Sequence, residues 1–164
     1  MMFFGALRFY LNGWVESQYI DPVFHFKYYG FQWVEVLPDT YLYLAYGLMM
    51  LSALGIAFGA LYRLSSVFFF VIFTYFELID LTYYLNHYYF VSLVAFILIF
   101  LPANRAYSID TILFQNGKSW KNVPAWTINI LKFQLAIVYI YAGIAKVNPD
   151  WLIHAMPLKI WLKA

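Results

Sequence analysis

The sequence predicts an all-α fold, a polytopic transmembrane helical bundle of about five membrane segments, and three observations carry that expectation. Of 164 residues, 65% are hydrophobic and only 11% are charged, whereas soluble domains run at roughly 45–50% apolar and about 25% charged. So little polar surface does not cover a water-soluble globule, which leaves lipid as the solvent. The apolar residues are also gathered into long runs, several near the roughly 20 residues that cross a bilayer core. Finally, a backbone in lipid must satisfy its own hydrogen bonds, so each run is read as a helix and not as an open strand.

Taken in order, Met1–Trp14 is a short segment that carries Arg8. Tyr41–Tyr62 and Ser66–Leu85 are the clearest spans, separated by Arg63, Leu64 and Ser65. Tyr88–Leu101 is shorter and stops at Pro102, and Trp126–Ala145 is a full-length span after Pro124, a residue suited to a helix start. Met1–Trp14 lacks the basic start and small-residue cleavage site of a signal peptide, so the first segment is expected to be retained. With no internal repeat or low-complexity tract, residues 1–164 are expected to form a single transmembrane domain.

The loops differ in charge. Val15–Thr40 sets Glu16, Asp21, Glu35 and Asp39 against Lys27, while Ala103–Val123 sets Arg105, Lys118 and Lys121 against Asp110. Positive charge marks the cytoplasmic side, which puts Arg63, Arg105, Lys118 and Lys121 there and the acidic loop outside. An interfacial stretch over Trp151–Ala164 accommodates Lys159 and Lys163. The net charge of +2, without a basic cluster or Gly-rich phosphate loop, argues against nucleic acid as a partner. Zero Cys excludes a disulfide framework and a thiolate nucleophile. Three dispersed His without an HExxH or paired carboxylate-histidine motif make a weak case for a metal, and none is expected. Six Trp, sixteen Tyr and seventeen Phe favour interfacial belts or the lining of a cavity for a flat, apolar ligand.

Ionisable groups at membrane depth are costly, about 2.5–3.5 kcal/mol on insertion scales, and mark candidate sites. Thr74, Glu77, Asp80, Tyr84 and His87 recur at intervals of three or four and share one face if the third helix runs on. Such a stripe serves either a site or an interhelical hydrogen-bond network. Lys146 follows the apolar run Leu135–Ala145, with Gly143 one turn before it, where a helix or ligand can approach closely. A desolvated Lys loses its charge more easily and becomes a usable general base; the alternative is a Lys snorkelling at the membrane boundary. In the orientation above, Asp80, His87 and Lys146 all fall toward the non-cytoplasmic ends of their helices, and this shared level favours a site. His25 and His154 read as interface residues, and Arg8 is expected to pair with Glu77 or Asp80.

Several stretches carry a family resemblance: Phe26-Lys27-Tyr28-Tyr29-Gly30-Phe31, Asn86-His87-Tyr88-Tyr89, Ala103-Asn104 with Ser108-Ile109-Asp110, and Tyr139-Ile140-Tyr141-Ala142-Gly143-Ile144-Ala145-Lys146 with Asp150-Trp151. In order and approximate spacing the chain resembles the membrane domain of vitamin K-dependent gamma-carboxylase and its bacterial horizontally transferred transmembrane-domain relatives. The Ala-Gly-x-x-Lys-x-x-x-Asp-Trp element is the most specific part. The resemblance implies a membrane-embedded Lys that deprotonates vitamin K hydroquinone; oxygen then adds, the resulting alkoxide takes a γ proton from a peptide glutamate, carbon dioxide adds, and the quinone leaves as its epoxide. Lys146 matches the catalytic base and His87 the motif histidine that orients or stabilises the oxygenated species. Asp80, Asn86, Tyr139 and Gly143 are carried over as cofactor-binding residues.

Animal enzymes have two adjacent lysines where this chain has Ala145 before Lys146, with the base position kept. At this length the chain is expected to be a partial or reduced version of the family's membrane domain. The resulting expectation is a lyase-class carboxylase and quinol epoxidase in a bacterial inner membrane or its equivalent, with its active side non-cytoplasmic. Its cofactor is vitamin K hydroquinone or a related quinol, with O2 and CO2 as co-substrates, and its partners are lipid, quinone and a glutamate-containing peptide or protein. The alternative is a non-catalytic quinone- or lipid-binding scaffold.

Overall fold

The computed structural model describes residues 1–114 and 122–162, and all the regular structure among them is helical. The elements are α1 (Met2–Leu11), α2 (Asp39–Phe58), α3 (Tyr62–Ile79), α4 (Asn86–Phe100), α5 (Ile109–Phe114), α6 (Ala125–Ala145), α7 (Pro149–Leu152) and α8 (Met156–Trp161), with a π-helical turn at Glu16–Ile20 and a 3-10 turn at Leu81–Tyr83. Among the described residues, three helices are long and apolar enough to cross a membrane: α2 with 20 residues, α3 with 18 and α6 with 21. Helices α1 and α4 are apolar but shorter. Lys118, Lys121 and Lys163, used above to orient the chain, lie outside the described residues.

The chain divides into two units, Met1–Val123 and Pro124–Ala164. In the first, α3 packs against both α2 and α4, and α1 packs against α2. Leu42, Tyr46 and Met49 recur at helical spacing on the inner face of α2, and Phe69, Phe73 and Phe76 do so on α3; together they form the core with Ile79, Ala95, Tyr19 of the π-helical turn, and Val15 and Val34. Leu44, Leu48, Leu51, Phe68 and Val71 remain exposed on the same two helices. An apolar outer surface of this kind suits lipid, where it carries no penalty.

Helix α2 ends at Gly59, whose φ of +62° is the left-handed conformation that glycine adopts without strain. A Cβ there would lie 2.4 Å from Ser108 Cβ, so glycine is required sterically as well. The polypeptide turns at once into α3, and Arg63, expected in the connection, lies in the first turn of the helix. Asp110 explains this early start. Its carboxylate accepts the N–H groups of Leu61 (2.7 Å) and Tyr62 (3.0 Å) and the side-chain amide of Asn104 (2.7 Å). A carboxylate that accepts the free amides at a helix N-terminus also meets the positive end of the helix dipole. The residues Asn104, Ser108 and Asp110, singled out in the sequence, therefore build a cap for α3, with the Ser108 hydroxyl bonded to Asn104 O at 2.7 Å.

In the second unit, α6 begins after Pro124, and the Thr127 hydroxyl donates to Pro124 O at 2.8 Å. Asn148 caps α7 by accepting the Trp151 N–H at 3.1 Å.

Asp110 is 6% exposed, and hydrogen bonds from the Leu61, Tyr62 and Asn104 groups outweigh the effect of burial, holding its carboxyl below the usual range. Asp110→Ala is expected to destabilise the first unit by about 1–3 kcal/mol through the donors left unpaired, read as a lower thermal midpoint in detergent. Because the carboxyl is depressed in the fold, its stabilising contribution is complete above the unfolded carboxyl value near 3.9 and disappears as pH falls through the lower folded value. The variant should accordingly lose part of the acid dependence of unfolding.

Candidate functional site

Helix α3 stops at Ile79, earlier than its apolar run predicts, and Asp80 is extended with φ −142° and ψ 121°. The cause is local. Asp80 Oδ1 accepts both the Thr82 N–H and the Thr82 hydroxyl at 2.8 Å, a side-chain-to-backbone arrangement that competes with helix continuation. The expected stripe of five polar residues is thereby broken. Thr74 and Glu77 stay on α3, Tyr84 follows the 3-10 turn, and His87 lies in the first turn of α4.

The second oxygen of Asp80 lies 3.1 Å from His25 Nδ1, with both side chains largely buried. His25, read from the sequence as an interface residue, is thus the partner of Asp80, and Arg8, expected in that role, instead rests its guanidinium over Trp14, 5.9 Å from the ring centroid. Burial acts to raise the Asp80 carboxyl, but the Thr82 and His25 hydrogen bonds outweigh it and leave the group below its usual range.

His25 belongs to a strap over residues 21–38 that is tied across the end of α3. Lys27 Nζ donates to Val34 O at 2.6 Å and to Ile79 O at 3.3 Å, a cation placed at the carbonyl end of a helix. Leu81 N donates to Phe26 O at 2.8 Å, and the Tyr75 hydroxyl accepts from Leu37 N and donates to Glu35 O, both at 2.9 Å. The Phe26–Phe31 motif therefore secures the strap to the bundle.

Beneath this end of the first unit lie two adjoining spaces. The outer one, about 270 Å³, is lined by polar groups of Gln18, Glu77, Asp80 and Thr82 as well as by Trp14 and Tyr83. The inner one, about 180 Å³, is lined by Met49, Phe69 and Phe73 and is almost wholly apolar. Phe9, Tyr19, Phe76, Glu77 and Tyr88 border both, so Glu77 and Tyr19 stand at the waist between them. Tyr19 is 8% exposed, and burial, followed by the nearby Glu77 carboxylate, pushes its phenol far above the ordinary value. Its hydroxyl stays a hydrogen-bond donor at any physiological pH.

Asn86 and His87 are exposed at the start of α4, and the His87 ring meets Tyr88 edge-on at a centroid distance of 4.5 Å. Since Tyr88 borders both spaces, the Asn86–His87 pair adjoins the outer one through its neighbour. In the second unit, Tyr139, Gly143 and Lys146 follow one another at four- and three-residue intervals along one face of α6. Lys146 is the C-cap of that helix, its N–H donating to Gly143 O at 3.0 Å, and its amine lies 5.1 Å from the centroid of the Trp151 ring. The specific Gly-x-x-Lys-x-x-x-Asp-Trp spacing is what brings Lys146 and Trp151 together across the α6–α7 turn.

Of the residues expected at a site, the first unit gathers Asp80, Asn86 and His87 around one end of α3, and the second holds Tyr139, Gly143 and Lys146 on one face of α6. Sequence reasoning missed Tyr19 and His25. Tyr19 offered no signal among sixteen tyrosines, while His25 directly precedes the Phe26–Phe31 motif and only Phe26 separates it from Lys27.

A family model described as HTTM domain matches residues 1–164. No solved structure matches the chain.

Removing one side of the Asp80–His25 contact is expected to free the strap before it unfolds the bundle. Asp80→Asn should raise the rate of limited proteolysis within residues 21–38 several-fold and leave cleavage elsewhere unchanged. In the unsubstituted protein the same loosening is expected on acidification, since the stabilisation by Asp80 is present above the unfolded carboxyl value near 3.9 and lost as pH falls through its lower folded value.

Proposed function

Starting from a chain that belongs to the HTTM family, the domain found in vitamin K-dependent gamma-carboxylase and its relatives, we propose that this protein is a membrane enzyme that oxidises a quinol of the vitamin K type to its epoxide. In the same reading, oxidation is coupled to carboxylation of a peptide glutamate, with O2 and CO2 as co-substrates. The observation that carries it is the pair of adjoining spaces in the first unit, one with several polar groups in its wall and one almost wholly apolar. An amphipathic ring with a greasy substituent fits such a pair, with its oxygens outward and its carbon skeleton among Met49, Phe69 and Phe73.

When bound, the quinol supplies the reducing electrons and the strong base that the protein itself lacks. The residues do the rest. Lys146, exposed at the end of α6, is the proposed base for the quinol hydroxyl proton on the strength of the family motif, a role that needs an uncharged amine. Asn86 and His87 offer hydrogen bonds to ring oxygens, and His87 is able to donate or accept according to its tautomer. Asp80 is a positioning residue, since its carboxylate is already committed to Thr82 and His25. Tyr139 and Gly143 share the α6 face of Lys146, the first as a wall and the second as a point of close approach.

A second reading, a quinone- or lipid-binding scaffold without catalysis, is favoured by the resting position of Lys146 over Trp151, where a charged amine gains from the ring face. Lys146→Ala separates the two. The enzyme reading predicts loss of aerobic epoxide formation from reduced vitamin K by roughly 10²–10⁴-fold, the usual contribution of a general base, with the thermal midpoint in detergent nearly unchanged. Retained turnover would remove Lys146 from the base role.

The active side is proposed to be non-cytoplasmic. The native chain contains no Cys, so a single Gln32→Cys substitution in the exposed strap should be labelled by a membrane-impermeant maleimide in intact cells, and labelling only after permeabilisation would reverse the orientation.

A further inference from the structure

Among the described residues, Glu77 alone borders both the paired spaces and a further groove of about 440 Å³ in the first unit. Phe70 and Leu78 of α3 and Leu93 and Phe96 of α4 form the apolar walls of that groove, and the strap adds Tyr28 and Phe31. Phe96 and its neighbour in the wall, Tyr89, are exposed, so the groove lies open on the surface that the bundle presents to lipid. Helix α3 is the partition. Phe69, Phe73 and Phe76 are buried on its core face, Phe70, Thr74 and Leu78 line the groove, and Glu77 stands at the seam between the two faces. Glu77 is half-buried and makes no hydrogen bond among the described residues, so no bond fixes its rotamer. One turn earlier, Thr74 carries a buried hydroxyl that also lacks a partner among them.

We propose that the α3–α4 groove is a lateral entrance from the bilayer to the paired spaces and that the unbranched side chain of Glu77 is its gate. The inference rests on the quinone-class reading above for the ligand and concerns its route alone. A molecule of that kind dissolves in lipid, so it reaches the bundle from the side. There it first meets the rings of Phe70 and Phe96, whose centroids are 5.3 Å apart and which offer stacking surface to a flat ligand. Because the groove shares no lining residue but Glu77 with either space, rotation of this one side chain joins or separates them. The carboxyl swings aside in either protonation state, so the gate needs no ionisation. A second groove of about 440 Å³, bordered by Val94 of α4 and by α1 and α2, adjoins the inner space and not the outer one. It is the competing route.

Kinetics separate a path from a site. Obstructing a path raises the barrier between two unchanged end states and slows entry and exit equally, whereas filling a site weakens equilibrium binding. The chain has no native Cys, so Leu93→Cys in the α3–α4 groove and Val94→Cys in the second groove each carry a single thiol, which benzyl methanethiosulfonate enlarges in the folded protein. In lipid nanodiscs, binding of 2,3-dimethyl-1,4-naphthoquinone, whose quinone carbons are blocked against thiol addition, is followed by stopped-flow quenching of tryptophan fluorescence, since Trp14 stands in the wall of the outer space. After modification, the Leu93→Cys protein should bind and release about tenfold more slowly or less with an unchanged Kd, and the Val94→Cys protein should keep its original rates. Glu77→Ala, with the gate shortened, should speed entry. Slowed entry at Val94, unslowed entry or a raised Kd at Leu93, or an entry rate indifferent to Glu77→Ala would overturn the gated entrance. Absence of saturable binding by the unsubstituted protein would instead remove the quinone-class reading, and the inference with it.

Discussion

Helix α3 is closed at both ends by an aspartate, and the first unit is organised around that constraint. Asp110 arrives from a segment after α4 and accepts the leading amides of α3, while Asp80 ends the helix and turns its carboxylate to Thr82 and His25. A helix in lipid has no water to complete its terminal groups, so these two carboxylates decide where α3 begins and ends. The position of its last turn in turn places Phe76 and Glu77 beside the spaces described above. The strap across residues 21–38 is fastened to that same end by His25, Phe26 and Lys27, so the carboxylate that ends the helix also holds the strap.

Much of this is legible in the sequence, and the limits have physical causes. Hydropathy alone brings out α2, α3 and α6 because lipid exposure demands long uninterrupted apolar runs, and the chain places them close to where composition suggests. The end of α3 is not legible in that way. The run through Leu81 and Leu85 is apolar enough to continue a helix, and it is the side chain of Asp80 bonding two residues on that stops it. Periodicity assumed one continuous rod and therefore read five polar residues as one face. Arg8 and His25 show the same limit at longer range, since charge alone does not say whether an acid at depth meets a guanidinium or an imidazole when the deciding factor is the path of a loop.

The motif residues divide into two kinds. Asn104, Ser108 and Asp110 are engaged with each other and with the start of α3, and their chemistry is spent on architecture. Asn86 and His87 keep their polar groups exposed next to Tyr88, and Lys146 keeps its amine at the end of α6. Residues of the second kind are the ones with capacity left for a ligand. Glu77 and Tyr19 join them on the strength of geometry, because both border the paired spaces and neither side chain makes a hydrogen bond among the described residues.

The central claim is that the paired spaces of the first unit hold a flat, oxygen-bearing ring with its substituent directed inward. Photolabelling tests it most directly: an azido-naphthoquinone is irradiated with the protein in nanodiscs, with and without excess unlabelled naphthoquinone, and the modified residues are mapped by mass spectrometry. The account predicts competitor-sensitive adducts on Phe9, Tyr19, Phe76 or Tyr88. Adducts confined to lipid-facing positions such as Leu48 or Phe68, and indifferent to competitor, would contradict it.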